Sequence, residues 1–119
     1  MTIIVKENEI KQCVNISEDI IPIIENGTSS NKNLRDELQD KRVIIFGVPG
    51  AFTPTCSEKH LPGFIKLYDK IKSSNIDDIY CLSVNDTFVI KAWFLSYADN
   101  PKIKGIADGN GDFSKSLNL

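Results

Sequence analysis

Beyond residue 33 the chain alternates apolar runs of strand length with stretches of helical periodicity, and that alternation predicts an α/β fold. Three observations carry the prediction. Val43-Ile44-Ile45-Phe46 and Ile79-Tyr80-Cys81-Leu82-Ser83-Val84 are short and rich in β-branched or aromatic residues, as buried strands require. The 57–73 stretch between them repeats its apolar residues at helical spacing. Two strands joined through a single helix lie parallel with a right-handed crossover, so these segments predict a βαβ core.

Taken in order, Ile3-Ile4-Val5 and Ile20-Ile21-Pro22-Ile23-Ile24 read as peripheral strands. The second is placed at a sheet edge because Pro22 has no N–H for a ladder. The turn formers of 26–33 read as a solvated loop, and Asn33 as the cap of a helical turn over 34–39. Within 57–73, Pro62 removes the donor to the Glu58 carbonyl and should kink that turn. Leu61, Phe64, Ile65, Leu67, Tyr68 and Ile71 supply the apolar face of this helix. Asp77-Asp78 turns the chain into the second core strand, and Asn85 or Asp86 caps a second long helix over about 87–98. Phe88, Ala92, Trp93 and Leu95 form its apolar stripe. A third strand at 104–108, the turn Gly109-Asn110-Gly111 and helical turns over 112–117 complete the pattern. One domain, residues 1–119, accounts for all of it.

Hydrophobic content of 41% and a net charge of −2 describe an ordinary soluble globular chain. No basic excess points to nucleic acid, and no apolar run approaches the ~20 residues of a membrane span. Cys13, Cys56 and Cys81 are odd in number and irregularly spaced, which argues against a disulfide framework and suits a reducing compartment. The first residues lack the charged head, apolar core and cleavage site of a secretory signal. The expected location is cytoplasmic, with an organelle left open.

Chemistry concentrates in Val48-Pro49-Gly50-Ala51-Phe52-Thr53-Pro54-Thr55-Cys56. A strand, a tight loop and a helix place Cys56 in a first helical turn, where unpaired N–H groups and the positive end of the dipole stabilise a thiolate. Thr53 can turn its hydroxyl toward that sulfur, and Pro49 and Pro54 stiffen the loop. His60 follows Cys56 by four residues, on the same helix face.

The spacing P-x-x-x-T-x-x-C and the longer string VPGAFTPTCSEKHLPGF resemble the active-site motif of the peroxiredoxins, in particular the small type II, or five-type, subfamily. Cys81-Leu82-Ser83-Val84-Asn85-Asp86-Thr87-Phe88-Val89 resembles that subfamily's next strand and turn. The resemblance implies a thioredoxin-like fold and an antioxidant thiol peroxidase for hydrogen peroxide and alkyl hydroperoxides, with no metal or organic cofactor. It makes Cys56 the peroxidatic cysteine, Thr53 its hydrogen-bond partner and Pro49 the shield of the sulfenic acid. Backbone N–H groups of Thr55 and Cys56 would face the peroxide. His60 has a supporting place at most, and Phe52, with Phe88 and Trp93, is a candidate for a homodimer face.

The family's closing hairpin, last helix, internal resolving cysteine and peroxide-polarising arginine all lie beyond the stretch that this chain matches. Only Arg35 and Arg42 occur, both before the active-site loop. The expectation is therefore a C-terminally incomplete domain with an exposed sheet edge and a one-cysteine cycle. Its sulfenic acid would be reduced by glutathione with glutaredoxin, or by thioredoxin. A second expectation, from another class, is a chain of little activity that acts as a binding or holdase-like protein.

Other motifs fail. Gly47-Val48-Pro49-Gly50-Ala51-Phe52-Thr53 lacks the Gly-Lys ending of a phosphate loop, and Cys56-Ser57-Glu58-Lys59 has no second cysteine. Asp108, Asn110 and Asp112 start like a calcium loop but continue with Phe113 and Leu119 where glycine and glutamate are needed. A helix cap explains them better.

Overall fold

The computed structural model describes residues 2–6, 9–13, 20–26, 28–48, 61–95 and 102–116. Its strands are β1 (Thr2–Lys6), β2 (Glu9–Cys13), β3 (Ile20–Glu25), β4 (Thr28–Asn33), β5 (Val43–Val48), β6 (Asp78–Ser83) and β7 (Lys104–Ala107). Its helices are α1 (Leu34–Leu38), α2 (Leu61–Lys72), α3 (Thr87–Leu95) and α4 (Asp112–Ser116). All seven strands share one sheet in the order β2-β1-β5-β6-β7-β3-β4. The predicted core is there: β5, β6 and β7 are parallel neighbours, connected through α2 and α3.

Alternate residues leave a strand on opposite faces, and here both faces are apolar because helices cover both. Val43 and Ile45 of β5 join Tyr80 and Leu82 of β6 on one face, against Leu34 and Leu38 of α1 and Phe113 of α4. Phe46 and the partly buried Ile44 join Ile79 and Cys81 on the other, against Ile90, Trp93 and Phe94 of α3. Phe64, Ile65, Tyr68 and Ile71 of α2 complete this second face. The caps fall where short polar side chains predicted them. Asn33 Oδ1 accepts the Asp36 N–H at 3.3 Å, and the Asp86 carboxylate accepts the Val89 N–H at 2.9 Å.

The structure departs from the sequence reading in several places. The segment holding Pro22 is no edge strand, since β3 lies between β7 and β4. Its ladder with β7 takes in only Ile23 and Ile24, so the missing N–H of Pro22 stands outside it. The supposed loop at 26–33 is a hairpin: Glu25 pairs with Thr28 across Asn26-Gly27, with Asn26 at φ 52°. Asn-Gly is the strongest two-residue hairpin signal, and its significance was masked by the polar strand that follows. Residues 9–13, for which the sequence reading named no element, form β2, antiparallel to β1. The side of β5 away from β6 is paired as well, with β1 in parallel from Val43 to Phe46. Leu67 sits at the margin of the inward face of α2 and is 47% exposed. On α3 the buried stripe is Ile90, Trp93 and Phe94, while Phe88 and Ala92 point outward.

At the amino ends of the parallel strands a charged cluster ties the layers together. The Tyr80 hydroxyl donates to Glu37 Oε1 at 2.8 Å, and Glu37 pairs with Lys32 at 3.4 Å. Lys104 pairs with Asp78 at 3.2 Å and Glu25 at 3.5 Å, its Nζ lying 5.7 Å from the centre of the Tyr80 ring. Burial, then the bond to Glu37, pushes the Tyr80 phenol well above its ordinary value. Burial pulls Lys104 down, but the Asp78, Glu25 and Glu37 carboxylates together outweigh it and the ammonium stands above its ordinary value.

Two measurements check this packing. An added Cβ at Gly105 would meet Ile90 Cγ2 at 3.0 Å and Phe94 Cε2 at 3.2 Å. Gly105→Ala should therefore lower the denaturant midpoint by about 1–3 kcal/mol of stability with the slope unchanged. Tyr80 and Lys104 both hold their protons more tightly folded than unfolded. Their contribution is complete below the unfolded values of 10.0 and 10.5, and fades as pH rises through the folded ones. Chemical denaturation should find stability falling above pH ~10, less steeply in Tyr80→Phe.

Candidate active site

Because β5, β6 and β7 are parallel and in register, their carboxyl ends share one edge of the sheet. Val48 stands opposite Ser83, and Ser83 opposite Ala107. Three connections leave from that edge: residues 49–60, 84–86 and 108–111. Ligand sites of open α/β sheets form at this edge, where the exits of several strands converge.

The connection 49–60 carries Pro49, Phe52, Thr53, Thr55, Cys56 and His60, and all six lie outside the described residues. So does the Glu58 carbonyl of the kink expected at Pro62. The elements on either side of this connection are described. Phe46, two residues before β5 ends, stacks on Phe64, three residues into α2, with ring centroids 3.9 Å apart and planes 2° apart. This contact joins the strand that enters the loop to the helix that leaves it.

The neighbouring exits are pinned by polar side chains. Ser83 is buried, and its hydroxyl meets Asn85 Oδ1 at 2.5 Å. The Asp108 N–H donates to the Ser83 carbonyl at 2.9 Å, binding the β6 and β7 exits together. Asp108 is itself buried, its carboxylate accepting the N–H groups of Phe113 (3.3 Å) and Ser114 (2.7 Å) and the Ser114 hydroxyl (2.8 Å). The calcium-like spacing is thus a cap for α4, and Gly111, at φ 76°, makes the turn that aims it. Among the described residues no group of three His, Cys, Asp or Glu is placed to hold a metal. An adjoining cleft of about 400 Å³ lies between Ile20 to Pro22, Asp86 and Asp112.

The other sulfur atoms and both guanidinium groups belong elsewhere in the chain. Cys81 is 1% exposed, in mid-strand on the face packed by α3. Cys13 is aligned with Thr2, and Thr2 with Val43, at the end of β5 opposite Val48. Five residues of strand separate those ends by roughly 16 Å. Arg42 immediately precedes Val43, its N–H donating to the Asp77 carboxylate at 2.7 Å. Arg35 is in α1. Sequence reasoning missed the Ser83–Asp108 tie and the Phe46–Phe64 stack. The signal for the first was a polar residue at the end of each apolar strand; the second had none, since stacking depends on how α2 lies over β5.

Comparison with known proteins agrees with this frame. The redoxin family model matches residues 16–119. Peroxiredoxin-2B of Arabidopsis thaliana is 47% identical over 110 residues, covering 85% of this chain and 66% of its own length. A peroxiredoxin of Rhizobium etli is 48% identical over 89 residues, 75% of this chain and 49% of its own. Among solved structures, a Plasmodium falciparum antioxidant protein described as a 1-Cys peroxiredoxin superposes with a TM-score of 0.74 at 40% identity, over 87% of this chain and 65% of its own. Reduced Prx3 of Vibrio vulnificus in complex with H2O2 does so with a TM-score of 0.74 at 37% identity, over 89% and 67%. The chain spans about two thirds of the first of these relatives. With a thioredoxin-like βαβ core, the motif in the β5–α2 connection and the match across residues 16–119, the chain belongs to the redoxin family, among its peroxiredoxins.

Proposed function

We propose that this chain is a thiol-dependent peroxidase for hydrogen peroxide and small alkyl hydroperoxides, with Cys56 as its nucleophile. The observation that carries the reading is the position of the motif Pro49 to Cys56, in the connection between β5 and α2, at the carboxyl edge of three parallel strands. The Cys56 thiolate attacks one peroxide oxygen, an S–O bond forms as the O–O bond breaks, and the other oxygen leaves and is protonated to water or alcohol. Sulfur is oxidised by two electrons to a sulfenic acid. The Thr53 hydroxyl and the N–H groups of Thr55 and Cys56 stabilise the charge spreading along the O–O axis, and Pro49 shields the product.

The cycle we infer uses one cysteine of this chain. Cys81 is buried beneath α3 and Cys13 is aligned with the remote end of β5, which supports reduction by an outside thiol. That thiol forms a mixed disulfide with Cys56 and releases water, and a second thiol frees the enzyme. Glutathione with glutaredoxin, or thioredoxin, fits this step. No helix among the described residues is long and apolar enough to cross a membrane. One relative is named chloroplastic, and the location we infer is the cytoplasm or an organelle interior. A homodimer through Phe88 is part of the same reading, because an aromatic ring 80% exposed at the start of α3 borders the active edge. Trp93, 1% exposed, belongs to the core instead. The holdase-like alternative called for an open site and an exposed sheet edge, and the match to the peroxiredoxins supports the peroxidase reading over it.

Cys56→Ser should abolish thiol-dependent peroxide consumption, while Cys13→Ser and Cys81→Ser retain it. Thr53→Val should slow it by about a hundredfold. One equivalent of peroxide should add about 16 Da at Cys56; a Cys56–Cys81 disulfide in the mass spectrum would refute the one-cysteine cycle. Phe88→Glu should halve the mass measured by light scattering, and an unchanged mass would remove Phe88 from the interface.

A further inference from the structure

Residues 49–60 connect the carboxyl end of β5 to the amino end of α2, and the two ends are held in different ways. β5 is fixed by main-chain bonds, since it pairs with β6 from Val43 to Val48 and with β1 from Val43 to Phe46. A helix spends its hydrogen bonds on itself, so α2 meets the sheet through side chains. Among the described side chains, Phe64 is the first residue of α2 to pack on the second hydrophobic layer, and Ile65, Tyr68 and Ile71 follow toward its far end. The Phe64 ring lies face to face with that of Phe46, centroids 3.9 Å apart and planes 2° apart.

The flatness of that contact matters. Apolar side chains without a plane fix how far one element stands from another. Two rings laid on each other fix the tilt as well, because the attraction is lost when either plane turns or slides. Phe46 is buried in a strand bonded on both sides, which makes it the fixed member of the pair. The first turns of α2 take their place from it through Phe64.

We propose that Phe46 and Phe64 are a positioning pair for the peroxidase reaction: their stack sets the distance and tilt between β5 and α2, and through them the reactivity of Cys56 in the connection that joins the two. The inference rests on the peroxidase reading, in which the Cys56 thiolate depends on the Thr53 hydroxyl and on the N–H groups of Thr55 and Cys56. All three residues belong to that connection. Misplacing a reacting group by about 1 Å costs roughly a hundredfold in rate, so a small tilt of α2 is enough to be measured. Both rings act through Cys56, and neither takes part in the chemistry.

The test follows Cys56 in two ways: the second-order rate of peroxide consumption, and the pH profile of its alkylation by iodoacetamide, read by mass spectrometry on the peptide that contains it. Phe64→Leu and Phe64→Met keep an apolar side chain and lose the ring. Each should cut the peroxide rate about tenfold and move the midpoint of the alkylation profile up by roughly half a pH unit. Phe64→Tyr keeps the ring and should restore both. Phe46→Leu should match Phe64→Leu, and the double variant should be no worse than either, because both remove one contact. Gly105→Ala strains the same layer at Ile90 and Phe94 of α3 and should leave the profile where it is. Trp93 fluorescence, that of a buried indole, should be kept in every variant. An unchanged rate and profile in Phe64→Leu and Phe64→Met overturns the proposal, as do additive losses in the double variant or an equal shift in Gly105→Ala. Peroxide left unconsumed by the unmodified chain would refute the peroxidase reading instead, and the alkylation profiles would still decide whether the stack governs Cys56.

Discussion

β5 is held by hydrogen bonds on both sides, and the placement of every other part follows from that constraint. Its ladder with β6 sets the register of the parallel core, and its ladder with β1 closes the side facing away from that core. Its alternating side chains supply both hydrophobic layers, Ile45 to one and Phe46 to the other. Its carboxyl end releases the connection that carries Cys56. A strand so bound is a stiff support for what it carries at its end.

The sheet separates two kinds of electrostatics. Its amino edge holds Lys104, Asp78, Glu37 and the buried phenol of Tyr80, joined by ion pairs and a hydrogen bond. Its carboxyl edge presents strand exits whose polar groups are spent on one another, Asp108 on the cap of α4 and Ser83 on Asn85 and the Asp108 N–H. The Phe46–Phe64 stack ties β5 to α2 within the second hydrophobic layer.

Much of this was legible in the residues themselves. The β-branched runs at 43–46 and 79–84, the capping side chains Asn33 and Asp86, and the Cys56 motif are local signals, set by rotamer entropy, orphan N–H groups and loop chemistry within a few residues. The α/β class and the parallel core followed from them, and so did the family. Tertiary structure decided what those local signals do not encode. Pro22 marks an edge only if nothing lies beyond its strand, and the Asn26-Gly27 turn folded a polar strand onto it. Helical periodicity named the residues of α3 but not its inward direction, which the close approach to Gly105 selected, burying Trp93 and leaving Phe88 outside. The partner of β5 was the least legible of all, because it comes from residues about forty positions away, and pairing between distant strands is chosen by which edge is free and which register matches rather than by the composition of either strand alone.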